Sequence, residues 1–156
     1  GREIGIENTS LFFLIFAAGI ATSRLTSGKT FDRKGPLGIL TFCLILMIAG
    51  FPLLALVRNA AGFYTSALII GFGIGVVFPT FQTIVNNLAH NGNRGAANST
   101  LYTALDLGMG LGMVVSGLIA QYMSIAAVFL ISSAVCFIGL VFFRMKVIGF
   151  YNRNIE

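Results

Sequence analysis

The chain has 156 residues, of which 56% are hydrophobic and only 10% are charged, and its mean hydropathy is +0.91. A water-soluble domain of this size needs more polar surface than that, so the composition excludes an ordinary soluble protein and predicts one that resides in a lipid bilayer. The net charge of +5 does not indicate a nucleic-acid partner, because such a partner requires basic residues spread over a solvated face.

Five apolar runs follow one another along the chain, at residues 9–25, 37–57, 62–88, 97–122 and 125–143. Each is close to the roughly 20 residues that a helix needs to cross a bilayer. The runs are continuously apolar, without the alternation of barrel strands, and therefore predict helices. Because the links between them are short, neighbouring helices should run antiparallel. The predicted fold class is all-α, a polytopic helical membrane protein with five transmembrane helices.

The link between the first two runs is strongly charged. Its sequence, SRLTSGKTFDRKGP, contains four basic residues, one acid and two glycines: Arg24, Lys29, Arg33, Lys34, Asp32, Gly28 and Gly35. Glycine adopts positive φ values at no steric cost, so this composition predicts a loop in which the chain reverses direction.

The basic residues predict how the helices are oriented. With alternating crossings, eight of the ten basic residues fall on one side of the membrane: Arg24, Lys29, Arg33, Lys34, Arg94, Arg144, Lys146 and Arg153. The other side keeps Arg2 and Arg58. By the positive-inside rule, the N-terminus is expected outside and the C-terminus in the cytoplasm.

Small residues recur every four positions in the third and fourth runs. The positions singled out for close helix packing are Gly71, Gly75, Gly108 and Gly112. Small residues on one stripe let helix backbones approach closely where lipid supplies no hydrophobic force between helices. Tight packing explains most of these glycines, and Pro79 in the third run predicts a helix that can bend.

Asp106 is the only acidic residue inside any of the five runs. It lies about one turn after Tyr102 and close to the expected middle of the bilayer. A carboxylate at that depth costs at least about 2.5–3.5 kcal/mol, which favours a functional role facing a cavity or a partner. Two roles stay open: Asp106 exchanges a proton or pairs with a cationic substrate, or it hydrogen bonds permanently to a neighbouring helix.

Phe78, Gln82 and Asn86 share one stripe of the third run. The Gln82 amide can donate and accept, to a substrate near the midplane or to another helix. Enzyme signatures are missing, since the chain has a single histidine, His90, and no set of ligands at metal-binding spacing. Neither catalysis nor a cofactor is therefore expected.

The pattern Gly28-x-x-x-Asp32-Arg33-x-Gly35, preceded by Arg24, resembles the signature loop of the major facilitator superfamily. Further along, GFGIGVVFPTFQ is similar to helix ten of that family, NRGAANSTLYTALDLGMGLG to its helix eleven, and QYMSIAAVF leads into helix twelve. The resemblance implies helices eight to twelve of a twelve-helix transporter. Helices two to six are the competing assignment, which Met113 disfavours, because it stands where the proline of the antiporter signature is expected.

The resemblance implies secondary active transport by alternating access, with proton-coupled efflux as the expected form. The implied cytoplasmic gate consists of Arg24, Gly28, Asp32, Arg33 and Gly35. The implied partners are a small-molecule substrate, protons, the lipid of the plasma (cytoplasmic) membrane, and missing N-terminal helices, because the chain begins with Gly1 and lacks signal-peptide features. A transporter-like membrane sensor or scaffold, and an unrelated polytopic protein such as a channel, remain alternatives.

Overall fold

The computed structural model describes residues 8–89 and 92–155, with the backbone alone at 27–34, 152, 154 and 155. Arg2 and His90 lie outside the described residues. The helices run Thr9–Leu56 (α1), Ala60–Leu88 (α2), Arg94–Tyr122 (α3) and Ile125–Phe142 (α4), followed by a π-helical turn at Phe143–Val147 and by α5 at Ile148–Ile155. The described residues contain no strand, and the all-α prediction is confirmed.

Five helical segments of the described chain are long and apolar enough to cross a membrane. They are Thr9–Thr26, Gly35–Leu56, Ala60–Leu88, Arg94–Tyr122 and Ile125–Tyr151. The polytopic helical prediction is therefore confirmed. The last segment extends beyond the predicted end at 143, because Val147 and Tyr151 continue the apolar face of Phe143 at helical spacing.

The charged link does not form the predicted loop. The backbone at 27–34, including Gly28, continues α1, and the single non-helical residue inside α1 is Gly35, with φ 66° and ψ 170°. Pro36 follows and suits the first turn of a helix, where its missing N–H costs nothing. One glycine is enough for the break, since Gly35 alone has positive φ and Gly28 has helical backbone.

Gly35 divides α1 into a first arm, Thr9–Thr26, and a second arm, Gly35–Leu56. The first arm runs parallel to α2, because Phe12 contacts Phe63 and the backbone near Ile20 adjoins Gly75. The second arm runs antiparallel to α2. Near its end Gly50 meets Ile70, whereas near its start Leu40 packs with Ile84.

The α2 helix lies against both arms and supplies most of the core. It has ten buried residues: Phe63, Ser66, Ala67, Ile70, Gly71, Gly73, Gly75, Val76, Thr80 and Ile84. The buried hydroxyls of Ser66 and Thr80 donate to carbonyls of their own helix, at 2.7 Å in both cases. Polar atoms in this core are therefore satisfied without a charged partner. At Pro79, α2 continues as one helix.

Gly71 and Gly75 lie where α2 meets the backbone of the first arm. A methyl group at Gly71 would overlap the carbonyl of Phe16, and one at Gly75 would approach the Ile20 Cα at 2.9 Å. These contacts are with backbone atoms, which cannot rotate away. The two helices can therefore approach this closely only if both positions lack a side chain.

Replacing Gly71 with alanine is expected to destabilise the protein by about 1–3 kcal/mol, because the methyl group has no space. Gly139 is the matched control, since nothing lies within 4 Å of a methyl group at that position of α4. There the change to alanine should stabilise the helix by about 0.5–1 kcal/mol through propensity. Thermal unfolding of both variants in detergent measures the difference. Equal unfolding midpoints would contradict the close approach.

The α4–α5 segment is attached to the bundle at two levels. The Ser133 hydroxyl donates to the carbonyl of Ile48 in the second arm at 2.8 Å. Near the end of the segment, Asn87 of α2 donates through Nδ2 to the hydroxyl of the buried Tyr151 at 2.9 Å. The basic stretch after residue 143, where the fifth apolar run was predicted to end, is thus a packed helix.

The α3 helix differs from the others because none of its residues is buried. At Gly108 and Gly112, an added methyl group would meet nothing within 4 Å. Among the described helices, these two glycines therefore have no close backbone neighbour, in contrast to Gly71 and Gly75. Most of the surface of α3 faces away from the helices present in this chain.

Candidate functional site

Polar and aromatic side chains join α2 to α3 along one line. Gln82 donates through Nε2 to the Tyr102 hydroxyl at 3.4 Å, and the Phe78 and Tyr102 rings lie 5.7 Å apart between centroids. The interplanar angle of 49° gives a tilted aromatic pair, which is a favourable arrangement. Three residues singled out from the sequence thus lie together.

Asn86, one turn beyond Gln82, pairs with Asn98. The Asn98 Nδ2 donates to the Asn86 Oδ1 at 2.7 Å and to the Arg94 carbonyl at 3.0 Å. The Asn98 Oδ1 is buried and has no hydrogen-bond partner. An orphaned buried acceptor is costly, so this oxygen marks an unsatisfied polar position at the contact of α2 with α3.

Asn98 was missed by the sequence analysis. The signal that identifies it is the spacing of Asn98, Tyr102 and Asp106, which lie four residues apart and therefore on one face of α3. The same spacing on α2 relates Phe78, Gln82 and Asn86. We call these six residues the α2–α3 stripe: Phe78, Gln82, Asn86, Asn98, Tyr102 and Asp106.

Asp106 lies near the midpoint of the 29-residue α3. Its side chain is exposed in this chain, and among the described residues none donates a hydrogen bond to its carboxylate. The hydroxyl of the adjacent Thr103 is occupied, because it donates to the Ser99 carbonyl at 2.9 Å. The carboxylate is therefore directed to a region that the described helices do not fill.

The five predicted gate residues lie along α1. Arg24 is exposed near the end of the first arm, and Gly35 forms the break before the second arm. Gly28, Asp32 and Arg33 have helical backbone, but their side-chain environment lies outside the described residues. The structure thus locates the bend of this region, whereas the gating role of Asp32 stays a prediction.

The comparisons with known proteins agree on one family. Residues 2–149 match the family profile described as Major Facilitator Superfamily. An uncharacterised MFS-type transporter of Bacillus subtilis, YttB, is 28% identical over 146 residues, covering 94% of this chain and 35% of that protein. YhhS of Escherichia coli strain K12, also an uncharacterised MFS-type transporter, is 22% identical over 143 residues, covering 91% and 35%.

A plant protein is similar at a comparable level. The probable inorganic phosphate transporter 1-8 of Arabidopsis thaliana is 29% identical over 135 residues, covering 81% of this chain and 24% of that protein. The chain therefore spans about a third or less of the length of these curated relatives.

Proposed function

The chain belongs to the major facilitator superfamily, a family of transporters rather than enzymes, and we propose that it forms part of a secondary active carrier. The carrier moves a small molecule across the membrane by alternating access, in which two halves rock around a site near the midplane. Within it, this chain supplies helices eight to twelve, and the remaining helices come from N-terminal sequence.

The exposure of α3 supports a larger assembly. A helix of membrane length with no buried residue has a face available for helices that are not in this chain. Gly108 and Gly112 offer a smooth surface for such packing, because small residues permit close approach in lipid. The coverage of about a third of the bacterial relatives' length agrees with that inference.

The observation that carries the proposal is Asp106, an unpaired carboxylate at mid-helix beside the Gln82–Tyr102 pair. In contact with lipid the carboxylate would be costly, so in the assembled carrier it faces a polar cavity. There it binds a proton in one conformation and releases it in the other. We propose that this exchange couples transport to the proton gradient and drives efflux.

The stripe also restricts the chemistry of the substrate. Its members comprise two aromatic residues, three amides and one acid, and no basic residue. This composition favours a neutral or cationic molecule with an aromatic surface that stacks on Phe78 and Tyr102. It does not favour an inorganic anion such as the phosphate named for the plant relative.

The gate is proposed at the cytoplasmic side, where the first arm ends. The basic residues around Asp32 hold this region beside the anionic inner leaflet, and the C-terminus lies on the same side by the positive-inside rule. The Asp32 carboxylate would contact the other half in one state and release it in the next. Gly35 supplies the sharp break that lets the two arms meet at an acute angle.

The test is transport by the complete carrier in proteoliposomes, with ethidium and chloramphenicol as cationic and neutral aromatic probes. We expect the proteoliposomes to take up the probes against a concentration gradient only when their lumen is acidic. A sensor or scaffold would bind the probes without accumulating them. A channel would equilibrate them without concentrating them. Either outcome would contradict the proposed function.

A further inference from the structure

A cavity of about 350 Å³ lies at the end of the bundle where α1 begins and α2 and α4 start. The Tyr64 hydroxyl donates to the Asn8 carbonyl at 3.2 Å at this end, and Phe51 stacks near Phe129 with centroids 6.4 Å apart. The cavity has no residue in common with the α2–α3 stripe. It lies in the size range of sites that hold small organic groups.

The walls of the cavity are apolar and its rim is cationic. Phe12, Phe63 and Phe129 line it together with Leu54 and Ile125, and Arg58 lies at its edge. The Phe12 and Phe63 rings are 4.6 Å apart, and Phe63 is 9% exposed. These side chains form a packed apolar wall below a single positive charge.

Arg58 has no ionic partner in the part of the chain that the structure describes. It is exposed in the turn between α1 and α2, and the one carboxylate whose side chain is described, Asp106, belongs to α3 and lies near its midpoint. The other basic side chains described belong to the opposite ends of the helices: Arg24, Arg94, Arg144, Lys146 and Arg153. The cavity thus combines apolar walls with a guanidinium that has no carboxylate partner among the described residues.

The depths of these groups match those of a membrane lipid. Arg58 lies two residues beyond the apolar segment that ends at Leu56, where we expect the lipid headgroups. Phe63 and Phe129 lie three and four residues inside the segments that begin at Ala60 and Ile125, which is about one turn, or ~5 Å, into the hydrocarbon. An occupant must therefore carry its anion at the surface and its apolar part just below.

We propose that this cavity binds an anionic phospholipid. The guanidinium of Arg58 pairs with the phosphodiester, an interaction that suits its planar donors, and part of one acyl chain lies against the phenylalanine wall. Phe13, another lining residue, is 69% exposed, so the apolar wall continues onto the outer surface of the helices and a chain can enter from the bilayer. The lipid joins the beginnings of α1, α2 and α4, which close this end of the bundle.

The experiment is native mass spectrometry of the complete carrier, titrated with phosphatidylglycerol and, separately, with zwitterionic phosphatidylcholine. Phosphatidylglycerol should bind more tightly, and Arg58→Gln should weaken its first binding step at least about tenfold, since tenfold is ~1.4 kcal/mol and a hydrogen bond to a charged group is worth somewhat more. Arg58→Lys keeps the charge and should retain most of the affinity. Arg144→Gln removes an exposed charge at the other end and is the matched control.

Two further arms test the apolar part of the site. Ala126→Leu narrows the cavity and should weaken phosphatidylglycerol binding while the unfolding temperature of the lipid-free carrier stays unchanged. Soluble glycerol phosphate should not compete at the concentrations at which the lipid binds. Unchanged lipid affinity in Arg58→Gln, or an equal loss in Arg144→Gln, would overturn the proposal. Equal competition by glycerol phosphate would assign the site to a soluble phosphate and would also overturn it.

Discussion

Replacing Asp106 with asparagine is expected to abolish uphill, proton-driven transport by the complete carrier. Asparagine preserves the size of the side chain and one oxygen acceptor, but it cannot bind and release a proton. In proteoliposomes with an acidic lumen, ethidium should rise no higher than its concentration outside. Movement of the probe down its own gradient should persist, because the polar cavity proposed beside Asp106 and the aromatic pair of Phe78 and Tyr102 remain.

Two control variants distinguish the loss of proton coupling from a general effect of changing this part of α3. Asp106→Glu keeps a titratable carboxyl group and should retain pH-driven transport at a reduced rate. Thr103 lies three residues before Asp106, and its hydroxyl already donates to the Ser99 carbonyl. Thr103→Val should therefore leave the pH dependence unaltered. Normal transport with unchanged pH dependence in Asp106→Asn would remove Asp106 from coupling and leave it a packing role.

Replacing Gly35 with alanine is expected to cause the second large effect. With φ 66° and ψ 170°, this residue occupies a backbone region that is essentially restricted to glycine, and a side chain there costs about 1–3 kcal/mol. The cost arises from the backbone itself, because no atom lies within 4 Å of an added methyl group. Relieving the strain would open the angle between the two arms of α1, so both stability and transport should decline.

Thermal unfolding and the initial rate of probe transport measure the two consequences of the Gly35 change. Gly149→Ala is the control, since Gly149 is helical and the nearest atom to an added methyl group there, in the Arg153 side chain, lies 4.0 Å away. That variant should unfold at the same temperature as the parent or slightly above it. Equal stability of Gly35→Ala and the parent would show that the chain can reverse without positive φ at this position.

Hydropathy alone was sufficient to predict the membrane class and the number of membrane-length helices, because each apolar segment must be long enough to cross the bilayer regardless of its neighbours. It could not predict that the backbone at 27–34 is helical. Charged residues are compatible with both a loop and a helix, and only the backbone angles show that Gly35 alone breaks α1.

The candidate site was predicted less completely than the fold. Periodicity placed Phe78, Gln82 and Asn86 on one face of α2, but it carries no information on which face of α3 lies opposite. That register depends on helix packing, and so the pairing of Asn86 with Asn98 became visible only in the structure. The extension of the last helix was missed for a similar reason, since Tyr151 is buried through contact with α2 and α1 and not through local hydropathy.

The unbroken helix from α4 through α5 makes its C-terminal end a suitable site for a spectroscopic probe. From Ile125 to Ile155 the helix is about 46 Å long at 1.5 Å per residue, whereas the hydrocarbon layer is about 30 Å thick. We therefore expect the final turns to extend beyond the hydrocarbon layer, where the bond from Asn87 to Tyr151 holds them to the bundle. A spectroscopic probe attached at Arg153 should therefore stay close to α2, and its distance to a second probe on the proposed other half would test whether the two halves rotate.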